Sequence, residues 1–205
     1  MTSLRMERRM GDTAMRLYKN SRIYDTYPCR LKPGNIHQGG TLLSKPGSIL
    51  RMSEHTINLV DGDEHDSVVA LFEAQLLEHD IVTGRDDLKS AVQTLVADPR
   101  YGFMLVASDV DGEPVGAAYA SCLLSLEHGG ISGWLEELYV LPQWRNLGIG
   151  SQLIAAVVAH ARNLGWRAID LEIESSHHRA ISLYARHQFK PLSRTRYVRP
   201  LRDEA

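Results

Sequence analysis

Arg145-x-x-Gly148-x-Gly150 lies between an apolar stretch that ends at Pro142 and a long amphipathic run that starts near Ile149. These residue types at this spacing can hold an anion. Glycine at 148 and 150 permits close backbone approach and positive φ. A helix N-terminus just beyond offers unpaired N–H groups and a partial positive charge. Together they suit a pyrophosphate, and Arg145 can add a charge-assisted contact. The spacing is neither GxGxxG nor a Walker-type GxxxxGK, so dinucleotide and nucleoside triphosphate readings lack support. On spacing alone, a glycine-rich turn that merely starts a helix fits as well. The placement after a strand and before a long helix favours the anion site.

The elements that must hold this loop follow from periodicity. Residues 57–60 form a short strand candidate. Residues 63–79 carry Val68, Val69, Leu71, Phe72 and Leu76 at helical spacing, and residues 86–96 carry Leu88, Val92, Leu95 and Val96 likewise. Residues 103–107 read as a strand, and Asp111-Gly112 turns the chain into a second strand over 115–124. Gly129-Gly130 makes another turn before a strand over 134–140. A helix over 149–164 closes at Gly165. Residues 168–174 alternate strictly, with Ile169, Leu171 and Ile173 on one face. A helix over 178–187 follows, and 189–201 reads as mixed and strand-like. The order is β-α-α-β-β-β-α-β-α-β. It implies a mixed α/β (α+β) fold with a mostly antiparallel central sheet flanked by helices, not an alternating nucleotide-binding fold.

Composition sets the outer bounds. The chain has 205 residues, 43% hydrophobic and 23% charged, with a net charge of −2. That average hides two unlike segments. Residues 1–51 hold seven Arg and three Lys against Glu7, Asp12 and Asp25, a net of +7, which leaves −9 for residues 52–205. Residues 1–51 are expected to be a disordered basic leader, and 52–205 the working domain. Met52 looks like a natural start, so an upstream start codon is a second origin for the leader. The leader reads as a solvated tail, and the global charge argues against a nucleic-acid binder. Cys29 and Cys122 lack zinc spacing and fit a reducing cytoplasm. No apolar run reaches the ~20 residues that span a bilayer, so no membrane role is expected.

The loop, preceded by Glu136-Glu137-Leu138-Tyr139-Val140-Leu141-Pro142, resembles the acetyl-CoA signature of the GNAT N-acetyltransferase superfamily. Ala180-Ile181-Ser182-Leu183-Tyr184 and Phe189 resemble that family's later helix, and the order of elements agrees. The likeness covers residues 55–201. Within the superfamily it looks most similar to spermidine/spermine-acetyltransferase-like small-amine enzymes. The family often has Asn and Gly where this chain has His177 and Gln188. The second departure implies a different helix C-terminus.

The resemblance implies acetyl-CoA as cosubstrate and direct attack of a free amine on the thioester. Backbone at Leu138, Tyr139 and Val140 would hold the pantetheine arm. Amides from Arg145 through Asn146, Leu147, Gly148, Ile149, Gly150 and Ser151 would hold the pyrophosphate. Glu136 is the implied base, acting through water, and Tyr184 the implied acid for the leaving thiolate. As residue types, Glu136 fits a surface carboxylate that attracts a cation, and Tyr184 a core tyrosine, nearly as well. Strand alternation is expected to turn Glu137 to the opposite face.

No metal is implied, because the adjacent His177 and His178 do not share a helix face. The acceptor is expected to be a small cationic or amino-acid-like amine. Acids over residues 73–87 would concentrate it, although a plain charged helix face explains them equally. A homodimer is compatible with this reading. The competing functions are peptide or protein N-terminal acetylation, and a catalytically silent CoA-binding domain.

Overall fold

The computed structural model describes residues 55–61 and 65–201. The expected basic leader, 1–51, lies outside the described residues. Five strands form one sheet in the order β1-β2-β3-β4-β5: β1 (Thr56–Leu59), β2 (Gly102–Ser108), β3 (Pro114–Ser125), β4 (Gly130–Val140) and β5 (Ile169–Leu171). All neighbours run antiparallel except β4 and β5. The helices are α1 (His65–Glu78), α2 (Arg85–Ala97), α3 (Ile149–Asn163) and α4 (His178–Arg186). This is the mixed α/β architecture that periodicity implied.

The sheet separates two cores. On one face Val68, Val69, Leu71 and Phe72 of α1 and Val92 and Leu95 of α2 pack with Met104, Val106, Ala117 and Tyr139. On the other, Leu153, Val157 and Ala161 of α3 and the following Trp166 pack with Phe103, Leu105, Ala118, Ala120 and Leu135. Small residues on β3 let helices approach both faces. One approach is very close: a Cβ on Gly133 would stand 2.1 Å from the Trp166 ring.

Local chemistry sets the turns. Asp109 Oδ1 accepts from the N–H of Asp111 (3.0 Å) and Glu113 (2.9 Å), and Gly112 takes φ +86°. This closes the β2–β3 hairpin as a side-chain-supported turn. Gly165, at φ +76°, ends α3 as expected.

Two expectations need correction. The strand read over 189–201 does not form; residues 190–200 are irregular. Tyr197, Val198 and Leu201 are 91%, 83% and 91% exposed. Scattered among Arg, Pro and Ser, they offer no alternating face to bury, and Pro191 and Pro200 lack ladder donors. Side chains tether this segment instead: Arg194 grips Glu127 at 2.8 Å twice, and Arg196 pairs with Glu172. The strand read over 168–174 shrinks to Ile169–Leu171, all half-buried.

Candidate active site

β4 carries the site, and its ladder is broken at one point. Tyr119 of β3 pairs with Glu137, but Ala120 pairs with Leu135. Glu136 is thus an extra residue in a β-bulge, and bulges re-aim side chains. Leu135 and Leu138 belong to the α3-side core and Tyr139 to the α1/α2-side core. Between them, Glu136 and Glu137 both turn toward α1 and α2. Gln75 of α1 donates from Nε2 to Glu137 Oε2, and Ser121 Oγ donates to Glu136 Oε1 at 2.9 Å. The expectation that Glu137 faces away from Glu136 is therefore wrong. Simple alternation cannot hold across a bulge.

The two carboxylates live differently. Glu136 is exposed. Glu137 is half-buried, and its pKa is pushed up to about 7, first by burial and then by the charge of Glu136, against the Gln75 hydrogen bond. That value suits proton exchange near neutrality. The next-strand neighbour Tyr119 is pushed up to about 12, by burial first and then by Glu136, Cys122 and Glu137. Residue types alone carry no sign of Glu137's environment, because the bulge that creates it leaves no signature in them.

β5 pairs with β4 only from Gly133 to Leu135. Past that point the two strands part. Leu141 N donates to Val115 O at 2.9 Å. By the alternation of an antiparallel ladder, Leu138 and Val140 then turn their backbone groups away from β3, into the opening. Arg145 Nε already donates to Val140 O at 2.8 Å.

α4 brings Tyr184 against this opening. Tyr184 packs on the α3-side core. Burial, then the charge of Glu137, raises its pKa to about 12. A specific helix end fixes its place. Phe189 N donates to Tyr184 O and Gln188 N to Ala185 O, at 3.1 and 3.0 Å. Gln188 takes φ +68°, and the rings of Tyr184 and Phe189 meet edge-on at 5.7 Å. This is the Schellman arrangement with its apolar contact. The expected difference at this helix end is not found: Gln188 adopts the left-handed conformation that Gly would.

The pyrophosphate-type loop forms as a tight connection. Asn146 and Gly148 take φ +67° and +87°, and Gly148 is the N-cap of α3. Leu147 is half-exposed, while Ile149 is buried and anchors the helix start. A Cβ on Gly150 would meet only Leu183 at 3.6 Å and Val140 at 3.9 Å, so the first turn is not crowded. Ser151 Oγ lies 2.6 Å from His187 Nε2, and Arg179 of α4 donates to Asn146 Oδ1 at 2.6 Å. The N–H groups of this first turn, on an uncrowded helix start with a left-handed glycine before it, fit an anionic group. Arg145 points elsewhere. Its Nη2 donates to both Glu78 oxygens at 2.8 Å, and its guanidinium lies over the Tyr139 ring. Tyr139 Oη completes this cluster by donating to Glu78 at 2.9 Å.

Among the described residues, no group of three or more His, Cys, Asp or Glu is arranged to hold a metal ion. No helix among them is long and apolar enough to cross a membrane.

Known proteins share this sequence and fold. The profile of the acetyltransferase (GNAT) family matches residues 67–189. An aminoglycoside N(6′)-acetyltransferase type 1 from Stenotrophomonas maltophilia is 36% identical over 129 residues, covering 58% of this chain and 80% of that protein. A mycothiol acetyltransferase from Propionibacterium freudenreichii is 31% identical over 134 residues, which span 64% of this chain but only 41% of that protein. Among solved structures, an aminoglycoside N-acetyltransferase in complex with CoA superposes with a TM-score of 0.63 at 21% identity, over 75% of this chain and 99% of that one. The match takes in both β4 and the loop that follows it, and on that ground the chain belongs to the GNAT family and is an acetyltransferase.

Proposed function

We propose that the chain is an acetyl-CoA-dependent N-acetyltransferase whose acceptor is a small cationic primary amine. One observation carries this reading. A half-buried carboxyl with a pKa of about 7, Glu137 on β4, and a neutral phenol, Tyr184 on α4, lie close enough to interact electrostatically, near the point where β4 and β5 part. Acetyl-CoA supplies an activated acyl thioester. Backbone at Leu138 and Val140 and the amides from Arg145 to Ser151 hold its pantetheine and pyrophosphate; Tyr139, expected to share in this, instead turns its backbone groups into the β3 ladder.

The acceptor arrives as an ammonium and must lose a proton to attack. Glu137 takes that proton, directly or through a water. The amine nitrogen bonds to the acyl carbon, the C–S bond breaks, and Tyr184 gives its proton to the leaving sulfur; the second proton shed by nitrogen as the amide forms restores the phenol. Glu136, exposed and one residue away, is the charge that draws the cation in and raises Glu137. The base role thus passes from Glu136 to Glu137. Relatives named as aminoglycoside N-acetyltransferases support an amine-bearing small molecule as the acceptor class.

The test is thiol release from acetyl-CoA across a panel of primary amines. Turnover on small di- and polyamines or amino sugars, lost in Glu137→Gln, is the expected result. Binding of acetyl-CoA without thiol release across the whole panel would overturn the proposal.

A further inference from the structure

A groove of about 420 Å³ opens between α2 and β3, lined by Asp87, Ser90, Ala91, Thr94, Leu95, Tyr101 and Tyr119. Its lining is unusual for a gap between a helix and a sheet. Four of the seven residues carry hydroxyls, and Asp87 is the single charged group. Thr94 Oγ1 donates to Ser90 O at 2.8 Å, so its lone pairs remain to accept a bond. Tyr101 and Tyr119 offer aromatic surfaces, and Leu95 is buried beneath.

The groove joins the reaction site through one wall. Tyr119 is the register partner of Glu137 on the adjacent strand, about 5 Å away along the sheet. Its phenol feels both Glu136 and Glu137. At the sheet end of the groove, Gly102, next to Tyr101, pairs with Ser121, which binds Glu136. A molecule presenting an amine to Glu137 can therefore run past Tyr119 and along α2 to Asp87.

We propose that this groove is an acceptor subsite in which Asp87 binds a second ammonium group, so that the enzyme selects compact, hydroxylated acceptors with at least two amino groups. This rests on the N-acetyltransferase reading above and adds the acceptor class. A carboxylate at one end and hydroxyls between match a cation joined to a polar ring or short polyol. A long apolar amine would gain nothing from the hydroxyls of Ser90, Thr94 and Tyr101, which are exposed and stay bonded to water. Asp87 also lies in the first turn of α2, where a carboxylate favours the helix dipole. A structural role of that kind would not distinguish one acceptor from another.

The experiment compares a hydroxylated diamine with the monoamine in which hydroxyl replaces the second amino group. Both are assayed by thiol release with the full chain and with Asp87→Asn and Asp87→Glu. The expected result is that Asp87→Asn lowers the diamine-to-monoamine ratio of kcat/KM about tenfold, through KM for the diamine, and that Asp87→Glu restores most of it. An unchanged ratio in Asp87→Asn overturns the subsite and leaves the N-acetyltransferase reading intact. If the wild-type chain releases no thiol with any amine, that reading fails. Titration calorimetry of the diamine onto wild type and Asp87→Asn then decides the subsite: weaker binding to the variant upholds it, and equal or undetectable binding to both overturns it.

Discussion

Arg145 and Glu78 form a two-oxygen ion pair, with Nη2 2.8 Å from each carboxylate oxygen. The pair fastens the last residue of α1 to the residue that opens the phosphate-type loop. Burial works to raise the Glu78 pKa, but hydrogen bonds from Arg145 and Tyr139 outweigh it and leave it lowered. The same guanidinium holds Val140 O. One side chain thus ties the helix bordering the acceptor side to both the strand end and the loop.

Glu78→Gln should separate loop order from fold stability. Both partners are about 40% exposed, so the pair contributes at most about 1 kcal/mol. Tm should fall by no more than a few degrees. The Michaelis constant for acetyl-CoA should rise by up to about fivefold, the most that a pair worth about 1 kcal/mol can transmit. Initial rates over a range of acetyl-CoA, beside a melting curve, check both.

Glu137 should govern the acid side of the rate profile. With its pKa near 7, kcat/KM for the amine should rise with pH through about 7. Glu137→Gln should remove that limb and lower the rate about 10²-fold or more. The linkage sign is also fixed. The folded pKa lies above the unfolded value, so the folded state holds the proton more tightly, and stability falls as pH rises from about 4.5 through 7. Denaturant titrations at pH 5 and pH 8 should show Glu137→Gln gaining stability relative to wild type at the higher pH.

Gln75 can serve both charge states of Glu137. Its Nε2 donates to the carboxylate, while its Oε1 is buried without a partner. A half-turn of the amide would let Oε1 accept from the protonated acid. Gln75→Leu removes the bond that opposes burial, so the acid limb should move to higher pH while its height at alkaline pH changes little. A limb that stays in place would dissociate Gln75 from the titration.

Gln188 stores strain. A non-glycine residue in the left-handed region costs about 1–2 kcal/mol. Gln188→Gly should recover part of this, about 0.5–1 kcal/mol after the added freedom of the unfolded chain. Gly133→Ala should do the reverse. Its Cβ would collide with Trp166, and the repacking should cost about 1–3 kcal/mol. Both are read from urea midpoints.

His160 gives a second pH signal of opposite sign. Burial against Phe103 lowers its pKa, and its Nε2 is buried without a partner. A histidine whose folded pKa is depressed binds fewer protons folded than unfolded, so stability is lost as pH falls below about 6.5. His160→Met should flatten that loss, as seen in melting temperatures between pH 7.5 and 5.

Much of this was legible in residue order. Helical periods marked α1, α2 and α3, because each buries one stripe against a sheet face, and apolar runs bounded by turn signals marked β1 to β4. Gly148 and Gly165 marked the two ends of α3, because each needs a left-handed backbone. Other features depend on distant partners and left no local trace. Arg145 reads as an anion ligand until Glu78, 67 residues earlier, is seen beside it. Residues 189–201 read as a strand until their apolar side chains are found with nothing to cover them. The bulge at Glu136 is a matter of pairing between strands, which residue types on β4 alone do not encode.

That bulge has a consequence for the length of the chain. Shortening a strand by one residue ordinarily turns every side chain beyond the cut inside out. Here Leu135 and Leu138 already face the α3 side with two residues between them, and Tyr139 already faces α1 and α2. Deleting either glutamate would leave a strictly alternating Leu-Glu-Leu-Tyr, with every core residue still facing its own core. β4 is therefore a strand from which one residue is removable without inversion. What the shorter protein would lose is not its fold but the second negative charge, and with it the repulsion that adds to burial in raising the remaining carboxyl's pKa.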